Sequence, residues 1–265
     1  MVFDSSFFWR YLLEPSSVYL HGLWLTLSLS VISQSLGTLI GVSGALGSQS
    51  RFRIVRLLVS LYTWIVRGTP LLVQIIFIYT ALAAGNVFRF EDLNLGFVTI
   101  PGNIQAAIVA LSLNEGAYMT EIVRAGILSV DTGQIEAAKS LGMTYFKSMR
   151  RIVLPQAVRV ILPPLGNEFN AMLKNTTLVS VIGVPELLMA TQMVTSATFR
   201  VFELYTVVAL YYLALTTAWG FVQSAIERRF GEQGQDRPAR LKATGLVRSL
   251  QTIRSQWSRR NETEL

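Results

Sequence analysis

Polar and ionisable side chains interrupt the apolar stretches of this chain at two places, and they limit the chemistry it can do. Asn114, Glu115 and Tyr118 stand in the first stretch, and Glu168 and Asn170 stand in the second. An ionisable group inside a membrane span costs about 2.5–3.5 kcal/mol on insertion scales, so such groups usually face a bundle interior or a pathway. The two clusters therefore predict the lining of a route for a polar solute.

Further charged residues leave the charge of that solute open. Buried carboxylates suit a cationic or zwitterionic solute, but Arg67 and Lys174 also stand in or beside apolar segments. Glu121 and Arg124 are three residues apart, which makes them neighbours on one face of a helix. We interpret this pair as a structural ion pair, and the alternative is that Glu121 also lines the pathway.

The residues needed for catalysis are scarce. The chain has no cysteine and a single histidine, His21. A thiolate nucleophile is therefore absent, a metal site needs several donors, and neither an H-E-x-x-H nor a G-x-x-x-x-G-K-[ST] sequence occurs. An intramembrane protease or lipid transferase needs a nucleophile with a base, or a metal. Such an enzyme is the weaker alternative, and we expect no ATP hydrolysis by this chain.

The composition indicates a membrane protein. The chain is 51% hydrophobic and 15% charged, whereas a soluble domain carries roughly 25% charged residues. Apolar stretches of about 20 residues recur, which is the length that a helix needs to cross a bilayer core. Since no polar stretch is long enough to enclose a core of its own, the sequence predicts one all-α, polytopic membrane domain with short tails.

We predict about five transmembrane helices. Pro70, in the sequence Arg67-Gly-Thr-Pro, interrupts the second apolar segment, so we expect an interfacial helix over 57–66 and a main span over 69–84. Segment 184–199 is too polar for an ordinary span and predicts a short amphipathic or re-entrant helix. Small residues in the first span favour close helix packing. The five apolar segments are 20–46, 57–84, 104–127, 158–181 and 204–226.

The distribution of basic residues predicts the topology. They gather at 51–56, at 139–151 and after Arg228, whereas the loop 85–103 is not basic. The positive-inside rule then puts the amino terminus outside and the carboxyl terminus in the cytoplasm. Much of the net charge of +7 lies in the segment that begins at Arg228, where basic residues outnumber acidic ones nine to four. This position beside the membrane indicates contact with anionic lipid rather than nucleic acid.

The charged loop 134–157, which reads QIEAAKSLGMTYFKSMRRIVLPQA, is a candidate mechanical joint. Gly142 permits a sharp turn, and Pro155 marks the start of the next span. The topology places the loop in the cytoplasm. Before the turn, the residues favour a short helix whose small side chains let a partner surface approach: Glu136, Ala137, Ala138 and Lys139.

The order E-A-A, glycine, I-V-L-P in this loop resembles the EAA loop of the permeases of ATP-binding-cassette importers. Three further motifs are similar to the members that import polar amino acids of the histidine, glutamine, arginine and opine types. They are RGTPLLVQ at 67–74, LNEGAYMTEIVRAGILSV at 113–130 and LKNTTLVSVIGVPELL at 173–188. Many members carry K-D-T-S-L where this chain has K-N-T-T-L at 174–178, so we expect a different polar contact there.

The resemblance implies a type I importer permease fold in the bacterial inner membrane. A cytoplasmic coupling helix would sit in a groove of an ATPase subunit, with Glu136 and Gly142 at the contact. Two permease copies, identical or related, would surround the pathway, and a substrate-binding protein would deliver the amino acid. Because the ATPase dimer binds ATP and Mg²⁺, the resemblance implies no cofactor on this non-catalytic chain. A secondary transporter or channel working alone is the other alternative, but five spans are few and inverted repeats are not apparent.

We divide the chain into an external amino-terminal segment at 1–19, a permease domain at 20–231 and a basic cytoplasmic tail at 232–265. The amino terminus lacks the basic start and the cleavage site of a signal peptide, so we expect it to stay on the mature protein. In the tail, apolar residues recur at helical spacing between Leu246 and Trp257. An amphipathic helix on the inner leaflet and a disordered tail are equal alternatives.

Overall fold

The computed structural model describes residues 3–96 and 99–231, so the predicted tail at 232–265 lies outside the described residues. The described part is almost entirely helical, which confirms the predicted all-α class. Two short strands precede α6. They are β1 (Leu93–Asn94) and β2 (Thr99–Ile100), which pair antiparallel as a hairpin. The helices are α1 (Ser5–Leu13), α2 (Ser17–Ser48), α3 (Arg53–Gly68), α4 (Leu71–Ile76), α5 (Leu82–Ala84), α6 (Gly102–Leu128), α7 (Thr132–Ser140), α8 (Tyr145–Ser148), α9 (Leu154–Asn175), α10 (Leu187–Thr198) and α11 (Val201–Gly231).

Two of the described helices, α2 and α11, are long and apolar enough to cross a membrane by themselves. Two bent pairs pass the same test, so the described residues hold two to four such spans by length and composition. Helix α6 is not among them because polar residues interrupt its sequence, although its 27 residues would extend roughly 40 Å at 1.5 Å per residue. The predicted polytopic class is confirmed, and the count of five spans stays a prediction.

The break at Arg67–Pro70 lies where the sequence predicts it. Helix α3 ends at Gly68 and α4 begins at Leu71, and the two arms, 53–68 and 71–84, meet at an angle of 107°. Proline cannot donate to the helical ladder, and it disfavours helical backbone at the residue before it. Thr69 is accordingly extended, with φ −121° and ψ 146°.

The helix that contains the fourth predicted span begins before Pro155, so this proline does not start the helix. That Pro155 marks the start of the membrane span itself stays a prediction. A helical run extends from Tyr145 to Ile182, through a π-turn at Met149–Val153 and a 3-10 segment at Thr176–Ile182. Pro155 follows the π-turn directly. A π-turn widens the backbone locally, which accommodates the missing N–H group and the ring within a continuous helix.

Close packing of α2 against α6 forms the centre of the described bundle, as the small residues of the first span predict. A Cβ added at Gly37 would lie 2.5 Å from Cγ of Glu115. Added Cβ atoms at Gly41 and Gly44 would overlap Met119 and Thr120. Only glycine lets the two backbones approach this closely, which is the usual way in which small residues join membrane helices.

Helix α10 begins directly after Glu186, whose side chain is fully buried. Its carboxylate oxygens accept from the backbone N–H groups of Leu188 at 2.9 Å and Met189 at 2.8 Å. The hydroxyl of Tyr212 on α11 donates to the same carboxylate at 2.8 Å. These bonds cap the helix and tie α10 to α11.

The amino-terminal helix α1 is held by hydrogen bonds and ion pairs. The carboxylate of Asp4 accepts from the hydroxyl of Ser6 and the backbone N–H of Phe7, at 2.7 and 3.1 Å. These hydrogen bonds, with the guanidinium of Arg200 at 3.3 Å, hold the pKa of Asp4 below its usual value. The backbone N–H of Asp4 donates to Glu203 at 3.0 Å, so α1 is fastened to the start of α11.

Candidate functional site

A cavity of about 540 Å³ lies where the α3–α4 break meets α6 and α9. It brings together residues that are far apart in the sequence, including most of those predicted to line a pathway. The lining residues are Arg67, Gly68, Thr69, Pro70, Leu71, Asn114, Glu115, Tyr118, Glu168, Ala171 and Asn175. The cavity is therefore polar, with both a basic and two acidic side chains on its wall.

Glu115 is the most buried ionisable group of the cavity, with only 4% of its surface exposed. The amide nitrogen of Gln34 on α2 donates to its Oε1 at 2.7 Å. Sequence reasoning missed Gln34, although a buried glutamine within an otherwise apolar span was the available signal. Glu115 is thus a side chain of α6 that α2 holds in place.

Asn114 is tied to the helix break through Gln74, a second residue that sequence reasoning did not select. The Asn114 amide donates to Gln74 Oε1 at 3.1 Å. The Gln74 amide nitrogen donates in turn to the carbonyl of Val66 at 2.7 Å and the hydroxyl of Thr69 at 2.9 Å. The bond to Val66 satisfies a backbone carbonyl that the break leaves without a helical partner, and both bonds fix the shape of this wall.

The charged groups at the rim of the cavity are more exposed than Glu115. The guanidinium carbon of Arg67 lies 5.3 Å from the ring centroid of Tyr118, in cation–π contact. Glu168 is half-buried and faces the same cavity from α9. An arginine and an acid on facing walls can each pair with one end of a zwitterion.

Two predicted pathway residues, Glu121 and Asn170, are not among the residues that line this cavity. Glu121 instead pairs with Arg124, as their spacing predicts, with 2.8 Å between Oε2 and Nη2. Asn170 is partly buried on α9. The structure therefore groups Asn114, Glu115, Tyr118 and Glu168 without these two.

A second and larger cavity, of about 720 Å³, lies where the hairpin loop meets the start of α6. Its lining includes Arg89, Glu91 and Asp92 of the loop and Asn103 of α6. None of the residues predicted for the pathway lines it. We therefore base the functional argument on the smaller cavity, whose buried polar groups are held by several helices.

The charged loop forms the short helix that the sequence predicts. Asp131 caps α7 by accepting from the N–H of Gly133 at 2.6 Å. The helix ends in a Schellman motif, because Gly142 N–H donates to the carbonyl of Lys139 and Met143 N–H to that of Ala138. Gly142 has φ +74°, a left-handed conformation that favours glycine.

Helix α7 exposes part of the predicted contact set and buries the rest. Glu136, Ala137 and Lys139 are exposed, whereas Ala138 is 2% exposed and faces the chain. Ile135, one turn earlier, packs against a buried cluster to which α2, α6 and the helical run that contains α9 contribute. Glu136, Ala137, Lys139 and Gly142 are thus presented outward by a helix anchored through its other face.

Large apolar side chains surround the turn after α7, and sequence reasoning did not select them. Leu141, Tyr145 and Phe146 are 82%, 70% and 71% exposed. Apolar residues inside a strongly charged loop were the signal that could have identified them. Exposed apolar patches rimmed by polar residues mark interaction sites, so this turn has the composition of a docking surface.

The fold and these two features define an integral membrane protein with a polar cavity between its helices and a short helix, α7, that is followed by exposed apolar side chains. Comparison with known proteins agrees. Residues 37–232 match the family model described as binding-protein-dependent transport system inner membrane component. The chain belongs to this family, and it is a non-catalytic permease subunit of an ATP-binding-cassette importer.

Relatives in several bacteria cover most of the chain. The glutamine transport system permease protein GlnP of Escherichia coli is 34% identical over 86% of this chain and 98% of its own length. The arginine transport system permease protein ArgU of Corynebacterium glutamicum is 38% identical over 80% of this chain and 67% of its own. The L-cystine transport system permease protein TcyB of Bacillus subtilis is 37% identical over 78% of this chain and 84% of its own length.

Solved structures agree with the fold. A chain of an amino acid ABC transporter crystallised with histidines is 39% identical, with a TM-score of 0.76 over 86% of this chain and all of that one. A chain of the methionine transporter MetNI, at 18% identity and a TM-score of 0.63, shares the fold. The predicted type I importer permease fold is thereby confirmed.

Proposed function

We propose that this permease imports a polar amino acid or a derivative of one, which passes through the cavity between α6, α9 and the α3–α4 break. The names of its relatives support an amino acid, since they carry glutamine, arginine and cystine. The cavity supports a zwitterion, since Arg67 faces it together with Glu115 and Glu168.

Within this pathway we assign roles by position. Asn114 and Glu115 hold the polar wall of α6, Tyr118 supports Arg67, and Glu168 faces them from α9. Glu121 and Asn170 remain predicted pathway residues that line the route outside this cavity. Their partly buried positions on α6 and α9 support a place along the same two helices.

Helix α7 is the proposed coupling helix. By resemblance to the EAA loop, its docking element consists of Glu136, Ala137, Ala138, Lys139 and Gly142. Ala138 is buried and anchors the helix to the rest of the chain. The exposed apolar residues after it support contact with a protein groove rather than with water. The groove belongs to the ATPase dimer, which binds ATP and Mg²⁺ on behalf of the complex.

The family and the distribution of charge support the proposed assembly and topology. The chain pairs with a second permease copy, identical or related, and receives its solute from a substrate-binding protein. Basic loops at 51–56 and 139–151 support a cytoplasmic location for α7 and an external amino terminus in the inner membrane. We keep the division into an external segment at 1–19, a permease domain at 20–231 and a cytoplasmic tail at 232–265.

One observation carries this proposal: Ile135 of α7 packs on a buried cluster of α2, α6 and the run 145–182, and the last two of these elements also carry cavity walls. We would test it with Leu141→Asp, which places a charge on the 82%-exposed side chain beside the turn. We expect this variant to reach the membrane but to lose its co-purifying ATPase subunit and amino acid uptake. Val87→Asp is the matched control, because Val87 is a 73%-exposed apolar residue between α5 and β1. This variant should retain the ATPase.

Retention of the ATPase by Leu141→Asp would contradict the assignment of α7 as the docking helix. Loss of the ATPase in both variants would indicate a general folding defect. Uptake of radiolabelled arginine, glutamine and cystine by vesicles that contain the wild-type complex identifies the solute.

A further inference from the structure

A buried acid and a buried amide meet on the wall of the cavity between α2 and α6. Glu115 is 4% exposed and Gln34 is 6% exposed. Gln34 Nε2 donates to Glu115 Oε1 at 2.7 Å, and Gly37 provides the space in which the Glu115 stem lies. None of the ion pairs among the described residues involves Glu115.

The other half of the amide is unsatisfied. Gln34 Oε1 is buried and has no hydrogen-bond partner among the described residues. An ionised carboxylate can only accept hydrogen bonds, so it pairs with the amide nitrogen and offers nothing to the amide oxygen. A neutral carboxylic acid has both a donor and an acceptor, and it is the form that complements a primary amide at both atoms.

The charges around Glu115 favour the same form. The ionisable groups that face it are Tyr62 and Arg67 of α3, Tyr118 of α6 and Glu168 of α9. Arg67 is the one cation among them, and its guanidinium is placed over the ring of Tyr118. A buried carboxylate without a paired cation is costly in a medium of low dielectric constant, and it avoids that cost by taking up a proton.

We propose that Glu115 is a neutral carboxylic acid in the empty cavity, hydrogen-bonded in both directions to the Gln34 amide, and that it releases its proton when the ammonium group of a solute enters. The second half of this inference rests on the proposed function of the cavity. In the release step the carboxyl O–H bond breaks, the proton passes to water in the cavity, and the resulting carboxylate pairs with the ammonium. With a net cation such as arginine, one positive charge enters as one proton leaves, so the charge of the cavity wall and its contents is the same as that of the empty cavity. With a zwitterion such as glutamine, the net charge falls by one, and the carboxylate of the solute is then paired by Arg67.

The test is infrared difference spectroscopy of the complete transporter in lipid vesicles. We expect a carboxylic-acid C=O band in the empty wild-type transporter that is absent in Glu115→Gln. The band should persist at higher frequency in Gln34→Leu, because the C=O group loses its hydrogen bond to the amide. Glu168→Gln, at a half-buried acid of the same cavity, is the control and should retain the band.

Arginine and glutamine, which the relatives carry, are the probes for proton release. Adding the one that the vesicles take up should reduce the band to less than half. A wild-type spectrum without any band that Glu115→Gln removes would overturn the neutral acid. A band that the transported amino acid leaves unchanged would overturn the release step. Uptake is measured on the same vesicles. A carboxylic-acid band without uptake of any amino acid would contradict the proposed pathway through the cavity and therefore also the release of the proton to a solute. It would still support a neutral Glu115.

Glu115→Gln also has a reading that does not depend on the spectrum. Glutamine has nearly the shape of the neutral acid and keeps a donor and an acceptor for Gln34. We expect the thermal midpoint of Glu115→Gln to match that of the wild type. If titration of Glu115 is the sole cause of a pH dependence of the wild-type midpoint, the midpoint of the variant should not change with pH. A large fall in the midpoint would show that the site requires a carboxylate.

Discussion

Gly142 offers a direct test of how the turn after α7 determines coupling. Its φ of +74° is left-handed, and a Cβ added there would meet nothing within 4 Å. Substitution by alanine therefore leaves the packing of this chain unchanged and acts only through the backbone. We predict that Gly142→Ala reduces amino acid uptake while the protein still inserts into the membrane in normal amounts.

The size of the effect follows from the conformation. A residue with a Cβ pays about 1–2 kcal/mol to adopt the left-handed region. A free-energy change of this size alters a two-state ratio by a factor of roughly 5–30. The ratio of molecules whose turn has the docking geometry to those whose turn does not should fall by about that factor. Asparagine tolerates positive φ better than other residues with a Cβ, so Gly142→Asn should lose less than Gly142→Ala.

The assay is uptake into vesicles that contain the permease with its ATPase and binding protein, together with ATP hydrolysis. We expect uptake in the order glycine, asparagine, alanine. Gly220→Ala is the control, because Gly220 also has open space around its Cβ position but lies within α11 at ordinary φ. Equal uptake by wild type and Gly142→Ala, or a larger loss with asparagine than with alanine, would refute the argument from backbone strain.

Three further predictions concern the scaffold. Gly41→Leu should lower the free energy of unfolding by about 1–3 kcal/mol, because even a Cβ there overlaps Met119, and the thermal midpoint in detergent checks this. Tyr212→Phe should cost about 1.5–3 kcal/mol on the same measurement, because it removes a hydrogen bond to the buried carboxylate of Glu186. Acidification should release α1, because the pKa of Asp4 is lowered in the folded protein. The stabilisation by Asp4 is complete above its unfolded-state pKa and disappears as the pH falls through its folded-state pKa. Tryptophan fluorescence would follow the release of α1.

Each of these predictions has a control that separates the cause from a general effect. Gly220→Leu changes an open helical position and should leave the midpoint nearly unchanged. Tyr205→Phe alters a 41%-exposed tyrosine and should cost less than Tyr212→Phe. Asp4→Asn should remove the acid transition of the fluorescence, and an unchanged transition in that variant would assign it to another group.

The sequence predicted the cavity lining best where polar residues lie within long apolar segments. Asn114, Glu115 and Glu168 are of this kind, because the cost of burying them in a membrane span leaves few places where they can lie. Gln34 and Gln74 escaped notice because each is one polar residue in a segment that already contains serine or threonine. Their roles depend on which helices pack together and in which register, and the sequence of one helix does not determine its register against another.

The docking helix shows the same limit at the level of surface. Composition predicted a short helix and a turn at Gly142, since local sequence decides both. Composition did not predict that Ala138 faces inward or that Leu141 and Phe146 face outward, because that depends on how Ile135 packs on the bundle. The run through Pro155 was missed for a related reason, since a π-turn allows a helix to continue where proline alone would favour a boundary.

The arrangement of α6 and the run 145–182 explains how events at α7 can reach the cavity. From Tyr118 to Leu128 the helix rises about 15 Å at 1.5 Å per residue, so the cavity and the start of the α7 connection are two ends of one rigid element. The second element enters through the turn after α7 and carries Glu168 to the opposite wall. Because the side chain of Ile135 packs on a buried cluster to which α2, α6 and the run 145–182 all contribute, a displacement of α7 can be transmitted to the cavity walls through that cluster. ATP can drive such a change only if the two wall positions bind solute differently, and a carboxyl group that exchanges its proton for the ammonium of the solute would supply that difference within the cavity itself.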